Sequence, residues 1–285
     1  MKLLSYGLDY RMEPRLAFSL RGHAVDVMRA SLWMKDERNA IDFLNLASSM
    51  KLALEDWERS FKLLKELEAA FLNLQFEELS IFGRPVSMLE TDVVFFAPVP
   101  DPPSMRYFRS DDPENQGAFF FGNTQTLLGH QQTLTQTGLQ AQGEMAAILG
   151  GKKGEKHVSV AGYCVLNNWF DPTGSGGHGL TYGRASSLGP YLVTADELEA
   201  HKLGGGFNLD LQMRVNGERM IEGRFKDMHI SFDEMIKQAE PTGVLAGDIF
   251  CSGPPGTHGK EGLAVSGDRI EVEIQALGTL VSEVQ

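Results

Sequence analysis

Cationic side chains, cysteine and long apolar runs are all scarce in this sequence. Its 26 lysines and arginines are outnumbered by 38 aspartates and glutamates, which gives a formal net charge of −12. Because an acidic chain repels phosphate groups, we expect neither nucleic acid nor an anionic membrane surface as a partner. No apolar run reaches the roughly 18 residues that a transmembrane helix needs, and the N-terminal residues lack a signal-peptide core. We therefore expect a cytoplasmic location.

The cysteine content is limited to Cys164 and Cys251, which lie in the apolar stretches GYCVL and DIFCSG. Neither has another metal-binding side chain at ligand spacing, so we expect two buried thiols rather than a disulfide or a metal site. Two common catalytic motifs are also missing. The segment GSGGHG has no GK[ST] ending, which argues against a phosphate-binding loop, and CSGPPG lacks the G-x-S-x-G pattern of serine hydrolases.

The hydrophobic pattern changes period along the chain of 285 residues. In the first 30 residues, apolar and polar side chains alternate weakly and are interrupted by glycines and a proline, which predicts a short β-meander. Residues 37–74 contain neither glycine nor proline, and apolar residues recur at steps of three, four and seven, which predicts helices. Ser48 and Ser49 are candidate caps or interruptions, so we expect two helices. A proline-rich segment follows, and we place a domain boundary before it, giving domains 1–92 and 93–285.

The C-terminal region carries most of the turn signals. It holds several short strand-like stretches, and Asn216-Gly217 is a strong hairpin signal between two of them. Ser231 followed by Glu234 predicts a capping box at the start of a helix. The fold class that these patterns predict is α+β, with a strand-rich C-terminal domain and a small N-terminal domain of strands and helices.

Seven segments, in order along residues 93–285, resemble motifs of the fumarylacetoacetate hydrolase family. They are FAPVPDPPSMRYF, LQAQGEMAAILG, VAGYCVLNNWFDP, SLGPYLVTADEL, RVNGERMIEGRFKDMHISFDEMI, LAGDIFCSGPPG and GDRIEVEIQALGTLVS. The resemblance implies a mixed β-roll for the C-terminal domain and a homodimer. It also implies substrates such as acylpyruvates and other 2-oxo or enolic acids, and metal-assisted hydrolysis of a C–C bond.

The family's metal site is built from four carboxylates, whose positions fall here on Tyr107, Gln142, Glu144 and Asn168. Only Glu144 keeps its charge. Because carboxylates supply most of the affinity for Mg²⁺ or Ca²⁺, we expect no tightly bound cofactor and at most weak binding of either ion by Glu144, Gln142 and Asn168. Tyr107, Gln142 and Asn168 are then candidates to contact a substrate.

Other functional positions of the family have changed as well. Its histidine base aligns with Glu114, its arginine with Pro172, its lysine with Tyr182 and its threonine with Pro254. We therefore consider replacements in the glycine-rich loops and near the other motifs, where sites are often found. The candidate catalytic residues are Glu114, Glu144, His178, Tyr182 and His258, with His130 a further loop histidine; Arg184 and Ser252 are candidates to bind a substrate.

These substitutions leave three functions open. The favoured hypothesis is an enzyme that binds a small oxo or enolic molecule and performs hydrolase, tautomerase or cyclase chemistry without a tightly held metal. The first alternative is a catalytically inactive member of the family that serves as a binding or structural subunit. The second is an ordinary metal-dependent acylpyruvate hydrolase, which requires Glu144, Gln142 and Asn168 to gather a cation.

Overall fold

The computed structural model describes residues 1–108, 118–152, 157–174, 184–228, 230–255, 257–259 and 262–285, with residues 227 and 257–259 described by their backbone alone. The α-helices are α1 (Val27–Arg38), α2 (Met50–Glu55), α3 (Trp57–Leu72) and α4 (Phe232–Ala239). Short 3₁₀ turns occupy Ile41–Asn45, Phe76–Glu78, Glu90–Asp92, Thr124–Thr126, Ala195–His201, Phe225–Asp227 and Glu240–Thr242. No helix in this part of the chain is long and apolar enough to cross a membrane.

The strands account for most of the regular structure. The first eleven are β1 (Lys2–Gly7), β2 (Arg15–Leu20), β3 (His23–Asp26), β4 (Ser80–Ile81), β5 (Arg84–Pro85), β6 (Ser87–Leu89), β7 (Val94–Phe95), β8 (Met105–Phe108), β9 (Phe119–Phe121), β10 (Leu127–Leu128) and β11 (Thr133–Leu134). The others are β12 (Gln140–Gly151), β13 (Val158–Phe170), β14 (Ala185–Thr194), β15 (Lys202–Leu203), β16 (Gly206–Phe207), β17 (Asp210–Val215), β18 (Glu218–Arg224), β19 (Ile249–Cys251), β20 (Thr257–Gly259), β21 (Arg269–Ile274) and β22 (Gly278–Val284).

Two mixed sheets organise the described residues. The larger has twelve strands, with the order β6-β3-β2-β1-β14-β13-β12-β19-β8-β9, while β10 pairs with β14 and β7 with β1. The smaller has six strands, in the order β11-β22-β21-β17-β18-β20. The fold is therefore sheet-rich α+β with few helices, in agreement with the sequence. The sheet passes from β1 directly to β14, so strands from both sides of residue 92 share it; the domain division there stays a prediction.

The long strands β12 and β13 separate two apolar cores. Alternate residues of a strand point to opposite faces. One face, with Ala146, Ile148 and Leu166, packs against the helical layer, where α3 supplies Leu64 and Phe71. The opposite face packs against the six-stranded sheet through a second cluster of buried side chains, which includes Met145, Val165, Trp169, Leu211 and Val272. The twelve-stranded sheet is thus covered on both sides along its centre.

Local sequence signals predicted several elements correctly. The hairpin between β17 and β18 turns at Asn216 and Gly217, with φ angles of 52° and 83°, which is the backbone conformation that such turns demand. Helix α4 begins with the complete capping box of Ser231 and Glu234. Ser49 caps α2, its hydroxyl accepting a 3.4 Å hydrogen bond from the backbone N–H of Leu52. Both cysteines are buried free thiols, as expected.

The N-terminal prediction was wrong in one respect. Residues 23–29, HAVDVMR, fall within the β-meander predicted for the first 30 residues, but β3 ends at Asp26 and α1 begins at Val27. The physical reason is a cap: the Asp26 carboxylate accepts a 2.7 Å hydrogen bond from the backbone N–H of Arg29, which favours helix over strand at this point. The helical segment therefore starts about ten residues before the position that the sequence predicted.

Candidate active site

The register of the central strands brings polar side chains together on one face of the large sheet. Gln142 of β12 lies directly opposite Asn168 of β13, which in turn lies opposite Ser186 of β14. Glu144 is two residues further along β12, on the same face. On the other side of β12, β19 pairs with β8, and its Cys251 lies opposite Tyr107. Three of the positions aligned with family carboxylates thus lie on adjacent strands, and the fourth, Tyr107, is on β8.

Glu144 is the carboxylate at the centre of this group. Only 1% of its surface is exposed. Its Oε1 accepts a 3.2 Å hydrogen bond from Nδ2 of Asn168, and its Oε2 accepts a 3.0 Å bond from the backbone N–H of Gly253. Hydrogen bonds to a charged group are stronger than those between neutral groups, so both oxygens of the carboxylate are held in place.

Ser252 supports this arrangement from the backbone. Its hydroxyl accepts a 3.1 Å hydrogen bond from the N–H of Met145 and donates a 2.6 Å bond to the carbonyl of Gly253. Its own N–H donates to the carbonyl of Met145 at 2.9 Å. The side chain, predicted as a substrate contact, therefore fixes the turn that presents the Gly253 N–H to Glu144.

Tyr107 and Ser186 form a buried hydroxyl pair, joined by a short hydrogen bond. The phenol ring stacks on Phe120, with ring centres 5.4 Å apart and planes inclined by 12°. Burial raises the pKa of Tyr107 well above its usual range, and the nearby Cys251 and Glu144 raise it further. At neutral pH the phenol therefore keeps its proton and acts as a hydrogen-bond donor.

Two amide oxygens on this face have no hydrogen-bond partner among the described residues. They are Oε1 of Gln142 and Oδ1 of Asn168, and both atoms are buried. Buried polar atoms are nearly always paired, so these oxygens are the acceptors through which a ligand or an ion would be bound. They lie on the same face as Glu144.

These donors differ from the carboxylate-rich set that a divalent metal of the family requires. They supply one formal charge, and both oxygens of that carboxylate already accept hydrogen bonds. Within the residues that the structure describes, no three His, Cys, Asp or Glu side chains are grouped as a metal site. Because Mg²⁺ and Ca²⁺ sites rely on several carboxylates, these residues do not fit a tight divalent site, and we derive no catalytic step through a metal.

The remaining predicted residues fall in three places. Arg184 precedes β14 and pairs with Asp171, its Nη2 lying 3.1 Å from Oδ2 of the carboxylate. His258 lies in β20, opposite Glu222 of β18 in the six-stranded sheet, and thus in a different sheet from Glu144. Glu114, His178 and Tyr182 lie outside the described residues.

Sequence reasoning missed three contributors to the site. Ser186 belongs to the SLGP segment, and strand alternation from Leu188 could have placed it on the face of Asn168. The Gly253 N–H and the Phe120 ring gave no comparable signal, because a backbone donor and an aromatic stack depend on contacts between distant segments. His130, by contrast, is a partly buried histidine whose Nδ1 accepts a 3.2 Å hydrogen bond from the N–H of Val281.

A family model and a related protein each match part of this chain. The model of the family described as "Fumarylacetoacetate (FAA) hydrolase C-terminal" matches residues 103–285. An uncharacterized protein of Staphylococcus epidermidis is 29% identical over 180 residues, which cover 57% of each chain. The chain thus matches a little over half the length of that relative.

Solved structures share the fold over greater lengths. Maleylpyruvate hydrolase from Sphingobium sp. SYK-6, also solved in complex with manganese(II) and pyruvate, is 20% identical, with a TM-score of 0.72. The match covers 100% of this chain and 99% of that one. A 5-carboxymethyl-2-hydroxymuconate delta-isomerase from Mycobacterium smegmatis is also 20% identical, with a TM-score of 0.56, and covers 73% of this chain and 86% of its own. At these identities the likeness concerns the fold.

Proposed function

Because this chain belongs to the fumarylacetoacetate hydrolase family, we propose that it is an enzyme that interconverts the keto and enol forms of a small 2-oxo acid without a tightly bound metal. Tautomerisation requires a base beside the acidic carbon and a donor beside the oxo group. It requires neither an attacking water nor a stabilised leaving group. The described side chains support this chemistry best, because they supply one carboxylate, that of Glu144, and two hydroxyl groups, those of Tyr107 and Ser186.

The single observation that carries the proposal is the buried Glu144 carboxylate on the same face as the Tyr107–Ser186 hydroxyl pair. Glu144 takes the proton from the carbon next to the oxo group. The hydroxyl of this pair whose proton is not used in their mutual hydrogen bond donates a hydrogen bond to the oxo oxygen as that oxygen gains negative charge. Glu144 then delivers the proton to the oxygen, so one proton moves from carbon to oxygen and nothing else is gained or lost.

The orphan amide oxygens support the presence of a polar ligand. A 2-oxo acid in its enol form carries a hydroxyl group that can donate to Oε1 of Gln142 or Oδ1 of Asn168. Satisfying a buried acceptor that would otherwise stay unpaired is worth about 1–3 kcal/mol. The enol form therefore gains contacts at this face that the keto form lacks.

The test is the conversion of the enol form of acetylpyruvate to the keto form, followed by its ultraviolet absorbance in buffer with a chelator. We expect Glu144→Gln to lower kcat by a factor of about 10² or more, which is the usual contribution of a general base. Glu222→Gln, in which an exposed carboxylate of β18 is changed, should retain full activity. Wild-type conversion at the buffer rate, or full activity of Glu144→Gln, contradicts the proposal.

A second candidate is metal-assisted hydrolysis of an acylpyruvate. The observation in its favour is the same pair of unpaired amide oxygens, on Gln142 and Asn168. Such oxygens can accept hydrogen bonds from N–H and O–H groups, and they can also bind hard cations. We expect hydrolysis of acetylpyruvate or fumarylpyruvate with Mg²⁺ or Mn²⁺ to stay near background, because the cation site and the family's histidine, arginine and lysine are all altered. Turnover at about 1 s⁻¹ or faster, an ordinary enzymatic rate, would favour this candidate instead.

An inactive binding subunit is the third candidate from the sequence. This candidate predicts that the protein binds 2-oxo acids but does not convert them. A calorimetric titration measures the binding, and the same absorbance assay measures the conversion. The proposed function also includes a homodimer, which the family implies, and a cytoplasmic location, which the sequence analysis predicted. Light scattering of the purified protein measures the first and fractionation of cells the second.

A further inference from the structure

An ion pair joins the end of β13, which carries Asn168, to the start of β14, which carries Ser186. Nη2 of Arg184, just before β14, lies 3.1 Å from Oδ2 of Asp171, just after β13. The other oxygen of Asp171 accepts two hydrogen bonds from Thr173, at 2.9 Å from its N–H and 2.7 Å from its hydroxyl. Asp171 is thus fixed by its own turn and presents one oxygen to Arg184.

The pair is adjacent to the candidate site along the strands. Ser186 follows Arg184 by two residues and pairs with Asn168, which precedes Asp171 by three. At about 3.3 Å per residue, these separations correspond to roughly 7 Å and 10 Å along the sheet. A small ligand that contacts the hydroxyl of Ser186 is therefore within reach of Arg184.

Arg184 has unused binding capacity. Its guanidinium carries five N–H donors in a planar fork, and Asp171 accepts from Nη2 alone among the contacts of the described residues. The Nε atom is buried and has no partner in this part of the chain. The Arg184 side chain as a whole is 37% exposed, against 11% for Asp171. The cation is therefore only partly neutralised and remains accessible.

We propose that Arg184 binds the carboxylate of the 2-oxo acid, and that Asp171 is the counter-ion against which that carboxylate competes. This inference rests on the proposed function, from which it takes the ligand class. A planar guanidinium binds a carboxylate through two parallel hydrogen bonds, and the single bond to Asp171 leaves room for such a contact. Asp171 repels the incoming anion, so it lowers the affinity for acids and leaves neutral analogues unaffected.

The experiment measures the binding of pyruvate by calorimetry in metal-free buffer, with pyruvamide as the uncharged probe. We expect Asp171→Asn to bind pyruvate about 2–5-fold more tightly, the size of a partly exposed ion pair. Arg184→Gln should bind it about tenfold or more weakly, since a charge-assisted hydrogen bond is lost. Pyruvamide should bind all three proteins alike.

A matched control removes a similar pair elsewhere. Asp210 lies 3.2 Å from Arg224 at the exposed open end of the hairpin of β17 and β18, and Asp210→Asn should leave pyruvate binding unchanged. If Arg184→Gln does not fold, as judged by its thermal unfolding, Arg184→Lys keeps the charge but loses the fork, and should bind pyruvate more weakly than wild type.

Three results would overturn the inference. They are equal or weaker pyruvate binding by Asp171→Asn, unchanged binding by Arg184→Gln, and no pyruvate binding by either wild type or Asp171→Asn. The outcome is distinguishable from failure of the proposed function. Glu144→Gln tests the tautomerisation, whereas the Asp171 and Arg184 variants test the affinity for an anion, so either can fail while the other holds.

Discussion

The amide of Asn168 donates a 3.2 Å hydrogen bond from Nδ2 to Oε1 of Glu144, diagonally across β13 and β12. An aspartate at position 168 would place a second carboxylate beside the first, where like charges cannot both persist without a cation between them. The amide instead supplies a donor, so Glu144 keeps a partner within the sheet. The substitution that weakens the metal site is therefore the one that stabilises an isolated buried carboxylate.

This relationship predicts how metal binding responds to mutation. The wild-type protein should bind Mg²⁺ more weakly than micromolar in a calorimetric titration, because Glu144 is the single carboxylate at the four positions aligned with the family's metal ligands. Changing Gln142→Glu and Asn168→Asp together should strengthen binding, since two charges return to one face. The control pair Asn45→Asp and Gln238→Glu adds the same charge at two separate exposed positions and should have no effect. A micromolar wild-type site that Glu144→Ala abolishes contradicts the prediction.

The position of Tyr107 depends on a glycine. A Cβ atom at Gly122 would overlap Cε2 of the Tyr107 ring and lie 3.4 Å from Cβ of Met105. Gly122→Ala should therefore displace the phenol from Ser186, cost about 1–3 kcal/mol through overpacking, and lower tautomerisation as Tyr107→Phe does.

The double variant, Gly122→Ala with Tyr107→Phe, should be no less active than Tyr107→Phe alone, because both changes remove the same hydroxyl contact. Gly262, where an added Cβ would meet open space, provides the matched control as Gly262→Ala. Equal kcat for Gly122→Ala and wild type would show that the hydroxyl pair is not needed.

His130 predicts a specific loss of stability in acid. Burial lowers its pKa to about 4, with a further contribution from Arg269. The folded-state pKa lies below the unfolded value of about 6.5. The contribution of the neutral His130 side chain to the free energy of unfolding is therefore complete above about pH 6.5 and is lost as the pH falls toward 4. The full loss is roughly 3 kcal/mol.

Urea unfolding of wild type and His130→Gln at pH 7, 5.5 and 4.5 measures this effect. The difference in the free energy of unfolding between wild type and His130→Gln should shrink as the pH falls. The variant His157→Gln, at an exposed position, should follow wild type at every pH. Carboxylates titrate in both proteins and cancel in the comparison. A pH-independent difference contradicts the assignment.

A buried ion pair on the opposite face of the sheet should be essential for stability. Arg106, 2% exposed, lies 3.3 Å from Asp248, 1% exposed. Its guanidinium also donates to Thr242 at 3.2 Å. Asp248→Ala leaves this cation without its counter-ion and should cost about 3–5 kcal/mol in the free energy of unfolding. The exposed pair of Asp210 with Arg224 gives the comparison, because Asp210→Ala should cost less than about 1 kcal/mol. Similar losses in the two variants would refute the prediction.

Short-range signals in the sequence determined a good part of the fold. The turn at Asn216-Gly217, the cap at Ser49 and the capping box of Ser231 each involve residues within a few positions of one another, so their residue types are sufficient to predict them. The collinear family motifs grouped Gln142, Glu144 and Asn168 as candidates for one site, and the register of β12 on β13 places all three on one face.

Contacts between distant segments were decided by the tertiary structure alone. The bond between Tyr107 and Ser186 joins residues 79 positions apart, and that from Gly253 to Glu144 spans 109. The register of β13 on β12 and β14, and of β19 on β8, fixes which side chains meet, and a shift of one residue would turn each of them to the other face. The sequence by itself therefore determined which residues were available to the site and which charges it had lost. The tertiary structure decided that the remaining carboxylate would be held by an amide and a backbone N–H, with a hydroxyl pair on the same face, because only folding sets the register between strands.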